Sequence, residues 1–293
     1  MQIGFVGIGP MGEPMAARLL QAGHGLCVFN RTASRTDALV QAGARSASTP
    51  AEAAHGADTV FTMLANDAVT EALVLGPEGV ASGLGENCVH VSCSTISPAL
   101  STRFDQAHRE RGQLYAAATV LGRPPAAKSG ELFVVQAGSP AALARIAVPL
   151  GQLGQRIFDV GDDPAKANLV KLSLNFLILS TIEQMSEMFA LNDKGGIPPA
   201  TLFEIMTGSF FNAPVHRNYG KLIVEQTFDP PGVTVPLAAK DTRLLLASAE
   251  ALSVPLPMAS LLRDRFLAMT AKGEAGLDFS ALSRRAREDA GLA

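Results

Sequence analysis

Two groups of residues in this chain have types and spacings that could do chemistry. Gly7-Ile8-Gly9-Pro10-Met11-Gly12 follows the apolar run Ile3-Gly4-Phe5-Val6 and precedes helix-compatible residues Glu13 to Gln21 and a second apolar run, Leu26-Cys27-Val28-Phe29. A G-x-G-x-x-G between a strand and a helix, inside a βαβ unit of about 30 residues, is suited to a dinucleotide pyrophosphate. Gly7 permits the tight turn, a side chain at Gly9 would block the phosphates, and Gly12 lets the helix pack closely on the strand. The phosphates would meet unpaired N–H groups at the positive end of the helix dipole. The second group is Lys171 and Asn175, four residues apart and so on one face of a helix, with Asn168 a turn earlier. A lysine in an apolar helix must reach water, find a partner or move protons, because uncompensated charge in a low dielectric is expensive. Burial would draw its pKa towards the range useful for proton transfer.

The end of the second apolar run bears on which nucleotide fits. An NAD-selective site places Asp or Glu there to bond the ribose hydroxyls. Here the position is Asn30, followed by Arg31, Thr32 and, one turn on, Arg35. Guanidinium groups and a hydroxyl suit a 2′-phosphate, so NADP(H) is expected over NAD(H). The alternative is a solvated arginine pair on a strand-to-helix turn.

The elements that must hold these residues follow from periodicity. Strand-like runs at Thr59–Leu64, Val89–Ser92, Gln113–Ala116, Leu132–Gln136 and Gln155–Val160 alternate with alanine-rich helical segments, which predicts a doubly wound parallel sheet of Rossmann type. From about Pro164 the pattern becomes helical. Ala165 to Asp193 contains neither Gly nor Pro, and breaks follow at Gly195-Gly196, Pro230-Pro231-Gly232 and Pro255/Pro257. The expected organisation is a nucleotide-binding domain over residues 1–163 and an all-helical domain over 164–293, joined by a long central helix. Lys171, Asn175 and Glu183 interrupt the apolar stretch of that helix, which argues against a membrane span.

Composition narrows the function classes. The chain has 293 residues, 47% hydrophobic and 17% charged, with a formal net charge of −3. That supports a substantial core and gives no electrostatic footprint for nucleic acid or anionic membrane. Cys27, Cys88 and Cys93 form neither a metal pattern nor an even-numbered disulfide framework. A strand starting at Gln2 leaves no room for a targeting peptide, so a cytoplasmic location is expected. Cys93 reads as a buried, inert thiol. The histidines read as structural: His24 at the end of the first helix, His55 and His108 on helical surfaces, His90 in a strand and His216 in a polar segment. None makes a triad or a metal site with its neighbours.

Taken together, these motifs resemble the β-hydroxyacid dehydrogenase family, which includes 3-hydroxyisobutyrate dehydrogenases, tartronate semialdehyde reductases and glyoxylate/succinic semialdehyde reductases. The resemblance covers nearly the whole chain. It runs through Ile3 to Ala16, Thr62-Met63-Leu64, Ser94-Thr95-Ile96-Ser97-Pro98, the K-x-x-x-N pair Lys171 and Asn175, Lys240-Asp241, and Leu277-Asp278-Phe279-Ser280-Ala281. It implies that Lys171 exchanges a proton with the carbonyl or hydroxyl oxygen and that Asn175 orients that oxygen. Thr95 and Lys240 would border the nicotinamide, with Met63 and Leu64 along the cofactor. Substrate would meet Ser94, the 121–123 segment, Lys240 and Asp241. Similar proteins form homodimers or homotetramers.

The chain departs from the resemblance in one motif. The family's substrate loop reads D-A-P-V-S-G-G, and here it is Ala117-Ala118-Thr119-Val120-Leu121-Gly122-Arg123. Arg123 could take over an anionic group, Leu121 could shape a pocket for a less polar carbonyl, or Arg123 could face solvent. The expected activity is an NADP(H)-dependent oxidoreductase acting on a small carbonyl or β-hydroxy acid. An imine reductase-like enzyme and a non-catalytic NADP-binding module are the alternatives, and retention of Lys171 with Asn175 counts against both.

Overall fold

The computed structural model describes residues 1–292. The chain divides into two compact units, the first being Met1–Lys171 and the second running from Leu172 onward.

The first unit is built on an eight-stranded sheet in the order β3-β2-β1-β4-β5-β6-β7-β8. The strands are β1 (Gln2–Val6), β2 (Gly25–Phe29), β3 (Arg45–Ser46), β4 (Thr59–Thr62), β5 (Val89–Ser92), β6 (Leu114–Leu121), β7 (Leu132–Gly138) and β8 (Gly154–Asp159). Strand order reverses at β1, and ligands of open α/β sheets bind beyond the carboxyl ends of strands at such a switch point. Ile3 and Phe5 on one face join Met15 and Leu19 of helix Gly12–Gln21 and Ile146, Leu150 and Leu153 of helix Pro140–Leu153. Val6 on the other face packs with Ala53, Ala54, Val60 and Val80. Helices therefore cover both faces, and the central strands carry apolar residues on both sides, as parallel strands must.

The sheet departs from an all-parallel one at β6 and β7, which pair antiparallel. Only a short segment with the helix Pro124–Ser129 joins them. A parallel return needs a crossover of about a dozen residues or more, such as the helix Pro140–Leu153 that brings β8 back parallel to β7. β6 also runs further than the expected Gln113–Ala116, ending at Leu121, while β4 stops at Thr62, before Met63 and Leu64. Most of the expected substrate loop is thus strand, with residues 117–120 buried.

The long helix is Pro164–Lys194, and the compact units divide within it rather than at its start. Its first turns pack on the sheet. Ala167 lies among Ala117, Val135 and Ala137, with Leu121, Val160 and Val170 against them, and the Thr119 hydroxyl donates to the Ala167 carbonyl at 3.3 Å.

In the second unit, Leu179, Ile182, Met185 and Phe189 of the long helix pack against Tyr219 and Ile223 of helix Pro214–Glu225, Val235 and Ala238 of Val235–Ala251, and Leu262, Phe266 and Met269 of Pro257–Ala271. Glu183, fully buried, pairs with Arg265 at 2.7 Å. Asp278 closes the turn near the C-terminus, accepting from the Gly232 and Val233 amides and from the Ser280 amide and hydroxyl. No helix among the described residues is long and apolar enough to cross a membrane, and none of their His, Cys, Asp and Glu side chains cluster as a metal site.

Candidate active site

The loop after β1 has the geometry its glycines suggest. Gly7 has φ +102°, and a Cβ there would lie 2.3 Å from the Met63 carbonyl oxygen. A Cβ on Gly12 would meet the Gly7 carbonyl oxygen at 1.9 Å, so only glycine lets the helix start this close to the strand end. At Gly9 a Cβ would meet nothing within 4 Å, which leaves that side of the loop open for a phosphate to approach the backbone. No side chain caps the N-terminus of helix Gly12–Gln21 among the described residues. Open backbone at Gly9 and an uncapped helix end fit a dinucleotide pyrophosphate. Ile8 is buried, Met11 is half-buried and Pro10 is exposed.

Asn30 braces this loop. Its side-chain oxygen accepts from the Ile8 amide at 3.0 Å, and its Nδ2 donates to the Thr32 carbonyl at 2.9 Å. Arg31, Thr32 and Arg35 are exposed beside it, and neither arginine forms a salt bridge among the described residues. Nothing acidic stands at the end of β2.

Beyond β4, Met63 and Leu64 are half-buried, and the Leu64 side chain reaches towards Gly7, where an added Cβ would lie 2.9 Å from its Cδ2. Beyond β5, Thr95 is half-buried, whereas Ser94 is fully buried. The Ser94 hydroxyl accepts from the Leu64 amide at 2.8 Å and donates to the Thr62 carbonyl at 3.4 Å. That placement ties Ser94 to the turn after β4. Cys93 is buried beside it, and burial pushes its thiol up to about 12, so no thiolate is available.

The expected substrate loop is rearranged by β6. Leu121, at the strand end, packs against the cluster of Ala117, Val135, Ala137 and Ala167, as do Val160 and Val170. Gly122 has φ +146°, and a Cβ there would press on the Leu132 side chain at 2.6 Å, so this turn demands glycine. Arg123 is exposed, at the N-terminal end of helix Pro124–Ser129.

On the long helix, Lys171 is half-buried and Asn168 is fully buried, its amide atoms without a hydrogen-bond partner among the described residues. One turn past Lys171, Asn175 Nδ2 donates to Asp241 Oδ2 at 2.6 Å, and Asp241 Oδ1 stands 2.9 Å from Lys240 Nζ. An ionised carboxylate only accepts, so Asn175 must turn its NH2 towards Asp241 and keeps its carbonyl oxygen for other partners.

Sequence reasoning missed one buried polar cluster in the first unit. His108 lies in the core rather than on a helical surface, and His90 Nδ1 meets its Nε2 at 2.9 Å. His90 Nε2 meets the Thr62 hydroxyl at 3.0 Å, and His108 Nδ1 meets Gln113 Oε1 at 2.7 Å. The spacing of His90 and His108 carries no local signal, because β5 and helix Pro98–Arg109 bring them together only in the tertiary fold.

Comparison with known proteins decides the family. Residues 2–161 match the model of the NAD-binding domain of 6-phosphogluconate dehydrogenase, and residues 165–286 match that of the NAD-binding domain of NADP-dependent 3-hydroxyisobutyrate dehydrogenase. The chain belongs to the β-hydroxyacid dehydrogenase family. An uncharacterized oxidoreductase of Bacillus subtilis, YfjR, is 44% identical to it over 283 residues, 96% of this chain and 98% of that protein. The 3-hydroxyisobutyrate dehydrogenase of Pseudomonas aeruginosa is 31% identical, covering 96% of this chain and 97% of its own. Among solved structures, a 3-hydroxyisobutyrate dehydrogenase from Salmonella typhimurium aligns with a TM-score of 0.88 at 26% identity, over 97% of this chain and 99% of that one. This β-hydroxyacid dehydrogenase family member is therefore a pyridine-nucleotide-dependent oxidoreductase with a Rossmann-type first domain and a helical second one.

Proposed function

We propose that the protein uses NADP(H) to interconvert a small carbonyl compound and the corresponding β-hydroxy acid or alcohol, with Lys171 as the general acid and base. The observation that carries this reading is the turn of helix shared by Lys171 and Asn175, with the Asn175 amide oriented by Asp241. When bound, the nicotinamide supplies or accepts the hydride.

The chain's own residues do the rest. The Gly7–Gly12 backbone and the helix after it would hold the pyrophosphate, and exposed Arg31 and Arg35 would pair with the 2′-phosphate. In the direction of reduction, negative charge develops on the carbonyl oxygen, and the Lys171 ammonium neutralises it by donating a proton. In the oxidative direction, neutral Lys171 takes that proton back. The Asn175 carbonyl oxygen, left available by its bond to Asp241, can accept from Lys171 or from a substrate hydroxyl and hold it in line.

Leu121 replaces the serine of the family loop and belongs to an apolar cluster with Val170, which favours carbonyls bearing an apolar substituent over small hydroxy acids. Arg123, exposed at the end of the same segment, would add positive charge that attracts acidic ones. A panel of neutral aldehydes, acidic semialdehydes and cyclic imines, followed by NADPH consumption, tests the proposal. Turnover of an aldehyde or semialdehyde is the expected result. Turnover of imines alone, or of nothing while NADPH binds, would replace the reading with an imine reductase or a nucleotide-binding module.

A further inference from the structure

We infer that Ser94 is a positioning residue for the nucleotide site, holding the Met63–Leu64 turn against Gly7 by bridging the Leu64 amide to the carbonyl of Thr62, a residue whose hydroxyl is anchored by a buried, one-directional chain of hydrogen bonds. The inference rests on the dinucleotide reading of the Gly7–Gly12 loop.

The direction of the chain follows from donor and acceptor counts. Gln113 Nε2 donates to the carbonyls of Ala81 at 2.9 Å and Leu84 at 2.6 Å, so both its hydrogens are committed and its Oε1 is an acceptor. His108 Nδ1 must therefore carry the hydrogen it gives to Gln113. A neutral His108 then accepts at Nε2, which makes His90 Nδ1 the donor between the two rings, and His90 Nε2 is left to accept from the Thr62 hydroxyl. Burial supports the neutral form of both rings, holding His90 well below the usual histidine range and His108 at about 4. Each polar group is satisfied in one arrangement only, which fixes Thr62 at the end of β4.

Thr62 carries a second, separate set of hydrogen bonds at its backbone carbonyl, which accepts from the Cys93 amide at 2.9 Å and from the Ser94 hydroxyl at 3.4 Å. With its hydrogen so directed, Ser94 Oγ accepts from the Leu64 amide at 2.8 Å. Leu64 and Met63 form the wall that Gly7 touches, since a Cβ on Gly7 would strike both. Ser94, fully buried, thus sets how closely the turn after β4 presses on the turn after β1. Removing its hydroxyl leaves the Leu64 amide without its acceptor and frees the wall of the nucleotide loop.

The test combines amide hydrogen exchange in the nucleotide-free protein with fluorescence titration of NADPH and NADH. In Ser94→Ala, exchange at Leu64 should rise about tenfold or more while amides of β1 and β5 keep their protection. Both nucleotides should weaken by about tenfold with their ratio unchanged, because the turn borders Gly7 rather than Arg31. Ser94→Cys, nearly isosteric with a weak acceptor, should shift both readouts the same way by a smaller factor and guards against a folding defect in the alanine variant. Parental exchange at Leu64 in either variant overturns the positioning role. Raised exchange with unchanged nucleotide affinity overturns the coupling to the loop. Should the parent bind neither nucleotide, the dinucleotide reading fails, and the exchange at Leu64 still decides whether Ser94 holds the turn.

Discussion

Asn175 donates its Nδ2 hydrogen to Asp241 Oδ2 across 2.6 Å, and that one bond determines which end of the Asn175 amide is left for other partners. Asp241 in turn stands in an ion pair with Lys240, both side chains being mostly buried. Asp241→Asn removes the charge and lets the Asn175 amide adopt either orientation. The loss of a hydrogen bond to a charged group, about 1.5–3 kcal/mol, should lower kcat/KM for the best carbonyl substrate by roughly 10- to 100-fold. Steady-state kinetics with substrate varied at saturating NADPH checks it, and parental kcat/KM would remove Asp241 from the positioning of Asn175.

Lys171→Ala should lower turnover by about 10²–10⁴, the usual scale for loss of a general acid. NADPH affinity should stay near the parental value, because the lysine acts on the substrate oxygen rather than on the pyrophosphate. A variant that keeps more than half of the parental rate would assign the proton to another group.

The open end of β2 makes a prediction about nucleotide choice. NADPH should bind at least about tenfold more tightly than NADH, a difference of about 1.4 kcal/mol. Arg31→Ala should weaken NADPH by about 1.5–3 kcal/mol and leave NADH nearly unchanged, since only NADPH carries the charged group it would meet. Superimposable titrations of the parent with the two nucleotides would show that the exposed arginines serve neither.

His90 and His108 predict an acid limb of stability. Burial lowers both in the folded protein, His108 to about 4, against an ordinary value of 6.5. Between those values the unfolded chain binds more protons than the folded one, so stability is fully present above about pH 6.5 and falls as pH drops towards 4. His108 alone accounts for on the order of 3 kcal/mol across that window. Buried Glu183, whose carboxyl is raised by burial, pulls the other way. Comparing urea midpoints at pH 7.5 and pH 5 in the parent and in His108→Gln isolates the histidine contribution. The variant should lose less stability on acidification, and equal losses would mean that the pair does not titrate with unfolding.

The amino-acid sequence by itself determined those features whose cause is local. Glycine spacing after an apolar run specified the turn at Gly7 and the helix start at Gly12, because the backbone angle at the first and the close approach at the second exclude any side chain. The absence of Gly and Pro from 165 to 193 specified a long helix, and helical spacing alone put Lys171 and Asn175 on one face. Tertiary structure decided whatever depends on partners distant in the chain. The antiparallel turn of β6 onto β7 made a strand of most of the expected substrate loop, since strand direction depends on the length of a connection and not on the residues of either strand. Burial of His108 and Ser94 could not be read from their neighbours, because a polar side chain enters a core only where other elements complete its hydrogen bonds, and those partners, Gln113 with His90 for one and Leu64 with Thr62 for the other, converge only when the sheet is assembled.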